Sequence, residues 1–241
     1  MKLLVIAAGY ATRLYPLTKD QPKALLPVGG RPMLDRVLDA LAGVGADETY
    51  VVTNARFAPH FEAWATSRPD IRVVNDGTTS DEDKLGAIGD IAFVLDEVQL
   101  EDDLVVVAGD NLFSDDLAGF GRYVREVNEP VLALYDVGDL AEMPKYNAVE
   151  TDAEGRITFF EEKPAAATST MTGIALYFYP RHVLPLIEQY VAEGNNPDQP
   201  GRLIQWLYPR TDVYTWRVPG TWYDIGSAET LREADEVFSR S

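Results

Sequence analysis

Short blocks of consecutive apolar residues alternate along this chain with stretches whose apolar positions recur every three or four residues. Continuous apolar blocks suit strands buried on both faces, and the three-to-four spacing suits helices with one buried stripe. Residues 2–7 form the first block and predict a buried strand. Met33, Leu34, Val37, Leu38 and Leu41 then share one helical face and predict a helix over 33–43. Residues 49–53 predict a strand, 59–66 a helix, 71–74 a strand and 88–98 a helix. The clearest buried strand is 103–108, where Leu104, Val105, Val106 and Val107 follow one another without a break. A helix over 117–127 and a strand over 131–137 come next.

The pattern then changes. Residues 147–150, 156–162 and 173–179 are strand-like, with a natural turn at 152–155 between the first two. This part reads as antiparallel, an edge of the sheet plus an inserted lid. Beyond it the pattern predicts a helix over 183–191, a loop over 193–201 and a short helix over 203–207. A strand over 214–218, a turn over 220–225 and a closing helix over 229–239 complete the chain. The alternation of strand, loop and helix predicts an α/β fold. It is a three-layer sandwich around a mainly parallel, Rossmann-like mixed sheet, with a small antiparallel insertion. No internal repeat or linker-like segment divides the chain, so residues 1–241 are expected to form a single domain.

Composition narrows the chemistry. With 46% hydrophobic residues in 241, the chain can build a substantial core. Its 39 acidic and 21 basic residues give a net charge of -18, which offers no general attraction to nucleic acid or to an anionic membrane. There is no cysteine, so disulfides, thiolate-held zinc, iron–sulfur clusters and thiol catalysis are excluded. Two histidines cannot supply a multi-histidine metal site, which leaves carboxylates as metal ligands and favours magnesium. No segment has the length of a membrane span or the pattern of a targeting peptide, and a cytoplasmic location is expected.

Four stretches carry candidate chemistry, each following a strand or punctuating a pair of strands. The first runs from Gly9 through Tyr10, Ala11 and Thr12 to Arg13, with Lys23 further on. A strand feeding a loop of small residues can turn backbone N–H groups toward phosphate oxygens, and Arg13 and Lys23 can add charge. The plainer reading is a tight turn with two solvated bases. The stretch is neither a Walker A loop nor a dinucleotide fingerprint. The second is Gly109-Asp110-Asn111, where an acid just past a central strand can hold magnesium on a phosphate or simply cap a turn. In the third, Glu161-Glu162-Lys163-Pro164, Lys163 can meet an anion and a glutamate can accept from hydroxyls; an exposed charged turn explains it equally. In the fourth, Trp222-Tyr223-Asp224-Ile225-Gly226, an acid among large apolar residues needs a partner. That partner is a metal shared with Asp110, or a helix end.

Taken in order, these stretches resemble the signature of the sugar-phosphate nucleotidyltransferases. The likeness is carried by AAGYATRLYPLTKDQPKALLPVGGRPMLD near the start, GDN at 109–111, EEKP at 161–164, TG at 172–173 and WYDIG at 222–226. The group includes the thymidylyl-, uridylyl-, guanylyl- and cytidylyltransferases of sugar 1-phosphates, glucose-1-phosphate thymidylyltransferases among them. The resemblance implies magnesium-dependent transfer of a nucleoside monophosphate from a nucleoside triphosphate to a sugar 1-phosphate, with release of pyrophosphate. It assigns residues 1–135 mainly to the nucleotide and 136–241 mainly to the acceptor. Ala8, Gly9, Tyr10, Ala11, Thr12 and Arg13 would wrap the nucleotide phosphates, with Arg13 and Lys23 neutralising charge. Asp110 and Asp224 would hold the magnesium. Asn75 and Gly86 lie in the stretch that would meet the base and ribose, and residues 28–32 would help close that end. Asn147, Glu162, Lys163 and Gly173 would hold the acceptor, Lys163 on its phosphate and Gly173 through its backbone.

Departures from the family pattern leave alternatives open. Ala11 replaces a frequent glycine and is expected to keep a negative φ. DGTTSDEDKLGAIGD replaces the glutamine-rich base region of thymidylyltransferases, so the base stays open. A cytidylyltransferase for choline phosphate or another phosphoalcohol is the nearest alternative, with Tyr146, Tyr177, Trp206, Trp216, Trp222 and Tyr223 as candidates for an aromatic cage. A non-catalytic nucleotide sensor is the alternative of another class. The resemblance also leaves a homo-oligomer open.

Overall fold

The computed structural model describes residues 1–165 and 167–239. Its centre is a seven-stranded sheet made from β1 (Lys2–Ile6), β4 (Glu48–Thr53), β5 (Ile71–Asn75), β6 (Leu104–Ala108), β8 (Val131–Asp136), β11 (Met171–Tyr179) and β12 (Tyr214–Arg217). The order across the sheet is β12-β8-β11-β6-β1-β4-β5. All neighbours run parallel except β11, which is antiparallel to both β6 and β8.

The period of two along a strand explains why the strands read as unbroken apolar runs. In β1 and β6, Leu3, Val5, Val105 and Val107 point into one core, and Leu4, Leu104 and Val106 point into the other. The first core is closed by α1 (Met33–Leu41), α4 (Ala118–Val127) and α7 (Ala228–Phe238). The second is closed by α3 (Ala87–Glu97), α5 (Leu184–Ala192) and α6 (Pro200–Leu207). Helix α2 (Ala58–Ala65) adds Phe61 to the first core. Among the described residues no helix is long and apolar enough to cross a membrane.

Three small antiparallel pairs complete the fold. They are β2 (Pro27–Val28) with β3 (Arg31–Pro32), β7 (Asn111–Phe113) with β13 (Trp222–Asp224), and β9 (Asn147–Thr151) with β10 (Ile157–Glu162).

The α/β sandwich and most elements agree with the sequence expectation to within a residue or two. The exceptions have physical causes. β11 is no edge strand: it fills the interior between β6 and β8, and Leu176, Phe178 and Tyr179 along it are buried. Its antiparallel direction marked it as peripheral in the sequence, but direction and position are independent. Helix α6 begins at Pro200, inside the stretch expected to be loop, because proline suits the first turn of a helix. The expected turn at 220–225 contains β13, whose partner β7 lies more than a hundred residues away and leaves no local signal. The 28–32 hairpin turns toward α7, with Gly29 N–H donating to Asp235 Oδ1 at 2.7 Å, and does not line the cleft described below.

Candidate active site

β1 is the strand at which the sheet changes direction of growth. The chain leaves it to lay β4 and β5 on one side, then returns to lay β6 on the other. Loops at the carboxyl ends of two such strands diverge and leave a crevice. Here the crevice is a cleft of about 530 Å³ whose wall includes the 8–14 loop after β1, Asp110 after β6, and Asp224 from β13.

Two buried side chains set the conformation of the loop after β1. Asn54 donates from Nδ2 to the Ala8 carbonyl at 2.8 Å, and Thr18 donates from Oγ1 to the Ala11 carbonyl at 2.7 Å. Both side chains are fully buried. With these carbonyls tied back into the protein, the loop is held in one shape at the cleft wall. A Cβ added at Gly9 would meet no protein atom within 4 Å. That open space is where a ligand can approach the backbone closely. Ala11 has φ 48, contrary to the negative φ expected of an alanine. The left-handed turn that a glycine would take freely is imposed on Ala11 by the Thr18 bond and by the short 3₁₀ turn that follows it.

The charges of the cleft meet at its floor. Lys23 Nζ donates to Asp110 Oδ2 at 2.5 Å, and Asn111 Nδ2 donates to Asp110 Oδ1 at 2.9 Å. Asn111 is itself held by Trp222, whose Nε1–H donates to its Oδ1 at 2.7 Å. The β7–β13 ladder sets Asp224 opposite Asn111, and Ile225 N–H reaches the Asp110 carbonyl at 3.3 Å. This ladder is why residues 114 positions apart in sequence share one site. Asp224 is exposed on the cleft side, yet the surrounding protein strips enough water from its carboxyl to push its pKa up to about 6. The Asp110 charge adds to the rise and Lys23 opposes it. Solvent on the open side tempers the size of this effect and leaves its direction. Two crowded carboxylates of this kind are a donor set that a hard divalent cation takes, completed by water and phosphate oxygens. Among the described residues no cluster of three or more acidic or histidine side chains forms a metal cage.

Arg13 is exposed at the cleft and makes no hydrogen bond or ion pair with a described residue. Gly86, in the cleft wall, opens α3 with φ 80, and a Cβ there would lie 2.8 Å from the Pro197 and Asp198 backbone. Asn75 stands outside this wall; its Oδ1 accepts from Gly77 N–H at 2.9 Å in a local turn.

The four expected acceptor residues lie outside the cleft wall: Asn147 on β9, Glu162 at the end of β10 with Lys163 just past it, and Gly173 on β11. Asn147 and Gly173 are locked together: Gly173 N–H donates to Asn147 Oδ1 at 2.7 Å, and Asn147 Nδ2 donates to the Gly173 carbonyl at 2.9 Å. Both backbone groups of Gly173 are thus occupied in this structure. Lys163 has φ 51, and its N–H donates to the Tyr146 carbonyl at 2.8 Å. The Tyr146 ring lies 6.1 Å from that of Trp222, which ties this patch to the Asp224 strand. Glu162 Oε2 is buried without a hydrogen-bond partner, and burial raises its pKa against the opposing charges of Lys163 and Arg202. The six candidate cage aromatics each pack on another ring: Tyr177 on Tyr179, Trp206 on Tyr190, Trp216 on Phe120, Tyr223 on Phe238, and Tyr146 on Trp222.

The sequence reading missed Thr18, Asn54 and Asp90. The first two each reach the loop through one hydrogen bond to its backbone, which leaves no sequence pattern. Asp90 had a signal, because it falls on the apolar face of α3 with Ile91, Val94 and Leu95.

A glycine-bearing loop, two cationic side chains and two carboxylates at a switch point define an α/β protein of the kind that holds phosphorylated ligands. A sequence model of the nucleotidyl transferase family matches residues 2–240, and the chain belongs to the sugar-phosphate nucleotidyltransferases of that family. It is 31% identical over 239 residues to a glucose-1-phosphate thymidylyltransferase of Mycolicibacterium smegmatis, covering 98% of this chain and 81% of that one. It is 28% identical over 241 residues to a UTP–glucose-1-phosphate uridylyltransferase of Haloferax volcanii, covering 98% and 96%. Other curated relatives are longer: the chain spans 59%, 54% and 54% of the length of three of them. A solved structure of UDP-glucose pyrophosphorylase complexed with UDP-glucose superposes with a TM-score of 0.82 at 21% identity, covering 99% of this chain and 98% of that one, and shares the fold.

Proposed function

We propose that this protein transfers a nucleoside monophosphate from a nucleoside triphosphate to a sugar 1-phosphate, releasing pyrophosphate and forming a nucleoside diphosphate sugar. One observation carries the reading: a single cleft holds the loop after β1, Arg13, Lys23, and the Asp110 and Asp224 carboxylates. The names of the relatives from M. smegmatis and H. volcanii support the sugar 1-phosphate as acceptor.

In this proposal an acceptor phosphate oxygen forms the new bond to the α-phosphorus, and the bond to the pyrophosphate oxygen breaks. The nucleophile is already anionic at neutral pH, so no general base is needed. The obstacle is bringing two polyanions together. Asp110 and Asp224 would hold a magnesium ion, which when bound supplies positive charge to the phosphates. The 8–13 loop and Arg13 bind the triphosphate, and Lys23 stabilises the charge that builds during transfer. Lys163 binds the acceptor phosphate, Glu162 accepts from its hydroxyls, and Asn147 with Gly173 shapes that side. Gly86, in the cleft wall, and the 75–87 stretch that leads to it face the base and ribose, with Asn75 holding the turn at Gly77 from outside the wall. A cytoplasmic location goes with this reading.

The test is pyrophosphate release with magnesium, crossing five nucleoside triphosphates with a panel of sugar 1-phosphates and choline phosphate. Release with one triphosphate and a sugar 1-phosphate is the expected result. Release with choline phosphate alone, or triphosphate binding with no release at all, contradicts it.

A further inference from the structure

The cleft wall carries two groups of charge. At one end Arg13 and Lys23 stand with the glycine-bearing loop and with Asp110 and Asp224, the proposed metal ligands; at the other, acidic end Asp81, Asp90 and Asp198 stand with Lys84. Charge directs the phosphates of a nucleotide to the first end, so the nucleoside extends toward the second. This step rests on the nucleotide reading given above.

At the acidic end, Asp90 stands on the first turn of α3 and is only 4% exposed. Its Oδ1 has no hydrogen-bond partner, and neither has Oδ2 of Asp76. Asp76 is fixed from its other side, where Oδ1 accepts from the Thr78 N–H at 2.7 Å and from the Thr78 hydroxyl at 2.8 Å. Thr78 Oγ1 lies 3.3 Å from the Tyr10 hydroxyl, so the chain of contacts runs back to the loop after β1. The buried Asp90 carboxyl lies beside the Asp76 carboxyl with no donor between their unpartnered oxygens, which disfavours an ionised Asp90. Burial, and then the Asp76 charge, push Asp90 up to about 8. The proton of Asp90 therefore turns onto Asp76, and its second oxygen remains as an acceptor at the cleft wall.

We propose that Asp90, backed by Asp76, reads the nucleobase of the bound nucleotide by accepting an N–H from the base's hydrogen-bonding edge. A pairing nucleobase carries such a donor in a position fixed by its ring, and a rigid, buried acceptor discriminates among those positions. A cation is the other use for facing carboxylates, but among the described residues no third acidic or histidine ligand joins this pair.

The test is calorimetric titration, with magnesium, of five nucleoside triphosphates and of inorganic tripolyphosphate. Wild type, Asp90→Asn, Asp90→Ala and Asp90→Leu are compared, with melting curves as the check on folding. Asp90→Asn keeps a donor toward Asp76 and an acceptor oxygen toward the cleft, as the protonated carboxyl does, whereas Asp90→Ala and the similarly sized Asp90→Leu remove the acceptor; the leucine variant serves if the alanine variant fails to fold. Wild type should rank the five triphosphates over a wide range of affinity. Asp90→Ala and Asp90→Leu should compress that range by about tenfold, the worth of one hydrogen bond, while Asp90→Asn keeps it and tripolyphosphate affinity stays within about twofold throughout. Wild type binding no triphosphate overturns the nucleotide reading itself, and the role of Asp90 with it. Wild type that ranks the triphosphates, with a folded Asp90→Ala or Asp90→Leu keeping the same ranking and range, overturns the role of Asp90 alone. Equal affinity of wild type for all five does the same.

Discussion

The two ends of the cleft handle charge in opposite ways. At the floor, Lys23 and Asp110 meet at 2.5 Å, Asn111 fills the second oxygen of Asp110, and Trp222 fixes Asn111. At the far end, Asp76 and Asp90 face each other with no donor between them, in a burial that leaves Asp90 protonated at neutral pH. The first arrangement places charge where phosphates need it. The second removes charge and leaves a directional acceptor. A protein that must both neutralise a polyanion and choose among uncharged rings needs both kinds of environment.

That contrast can be broken experimentally, and the largest effect belongs to the floor. Asp110→Asn should lower turnover by about a thousandfold or more, since it removes a proposed metal ligand and the partner of Lys23 together. Its melting temperature should stay near wild type, because Asp110 is partly exposed. Turnover close to wild type at ordinary magnesium would remove the carboxylate pair from the account. Lys23→Ala comes next, with a loss of about a hundredfold in kcat; steady-state rates at saturating substrates measure it.

Asn54→Ala tests how the loop is held rather than what it touches. It strips the donor from the Ala8 carbonyl and one of two acceptors from the Phe57 N–H, which keeps the Asn54 backbone carbonyl at 3.2 Å. Leaving the buried Ala8 carbonyl without this donor should cost about 1–3 kcal/mol in denaturant unfolding and raise KM for the triphosphate. An unchanged KM with reduced stability would confine Asn54 to a role in folding.

The smallest effect tests the far end through stability alone. Asp90 has the ordinary aspartate pKa of 3.8 when unfolded and one of about 8 when folded. Between these values the folded protein keeps a proton that the unfolded chain has lost. Stability from this group is therefore full below about pH 4, declines as the pH rises, and is gone above about pH 8. Asp90→Asn should flatten that decline and gain about 1 kcal/mol or more at pH 8. A wild-type slope in the variant would mean that Asp90 is ionised in the fold.

The same contrast governs what could be read from the sequence. The floor was legible because its groups sit in contiguous motifs: Gly9 to Arg13, Asp110 beside Asn111, and Asp224 within WYDIG. The parallel strands were legible because two-sided burial leaves unbroken apolar runs, as in 104–107. The far end was not. Asp76 and Asp90 are ordinary acids until β5 and α3 bring them face to face, and only the apolar neighbours of Asp90 hinted at its burial. Thr18 and Asn54 each reach the loop through one hydrogen bond, across 7 and 46 positions of chain. The interior place of β11 was hidden because strand order is decided by packing and leaves no periodic trace. The left-handed Ala11 ran against intrinsic preference, because tertiary contacts outweighed it.

The most direct test of transfer is phosphorus NMR of a reaction containing the protein, magnesium, one nucleoside triphosphate and one sugar 1-phosphate, chosen from the productive pair. The account predicts that the three triphosphate resonances and the sugar phosphate resonance decline together. One pyrophosphate signal and the paired signals of a nucleoside diphosphate sugar should rise in equal amounts. Inorganic phosphate and nucleoside diphosphate appearing instead, with the sugar 1-phosphate untouched, would mean hydrolysis rather than transfer and would contradict the account.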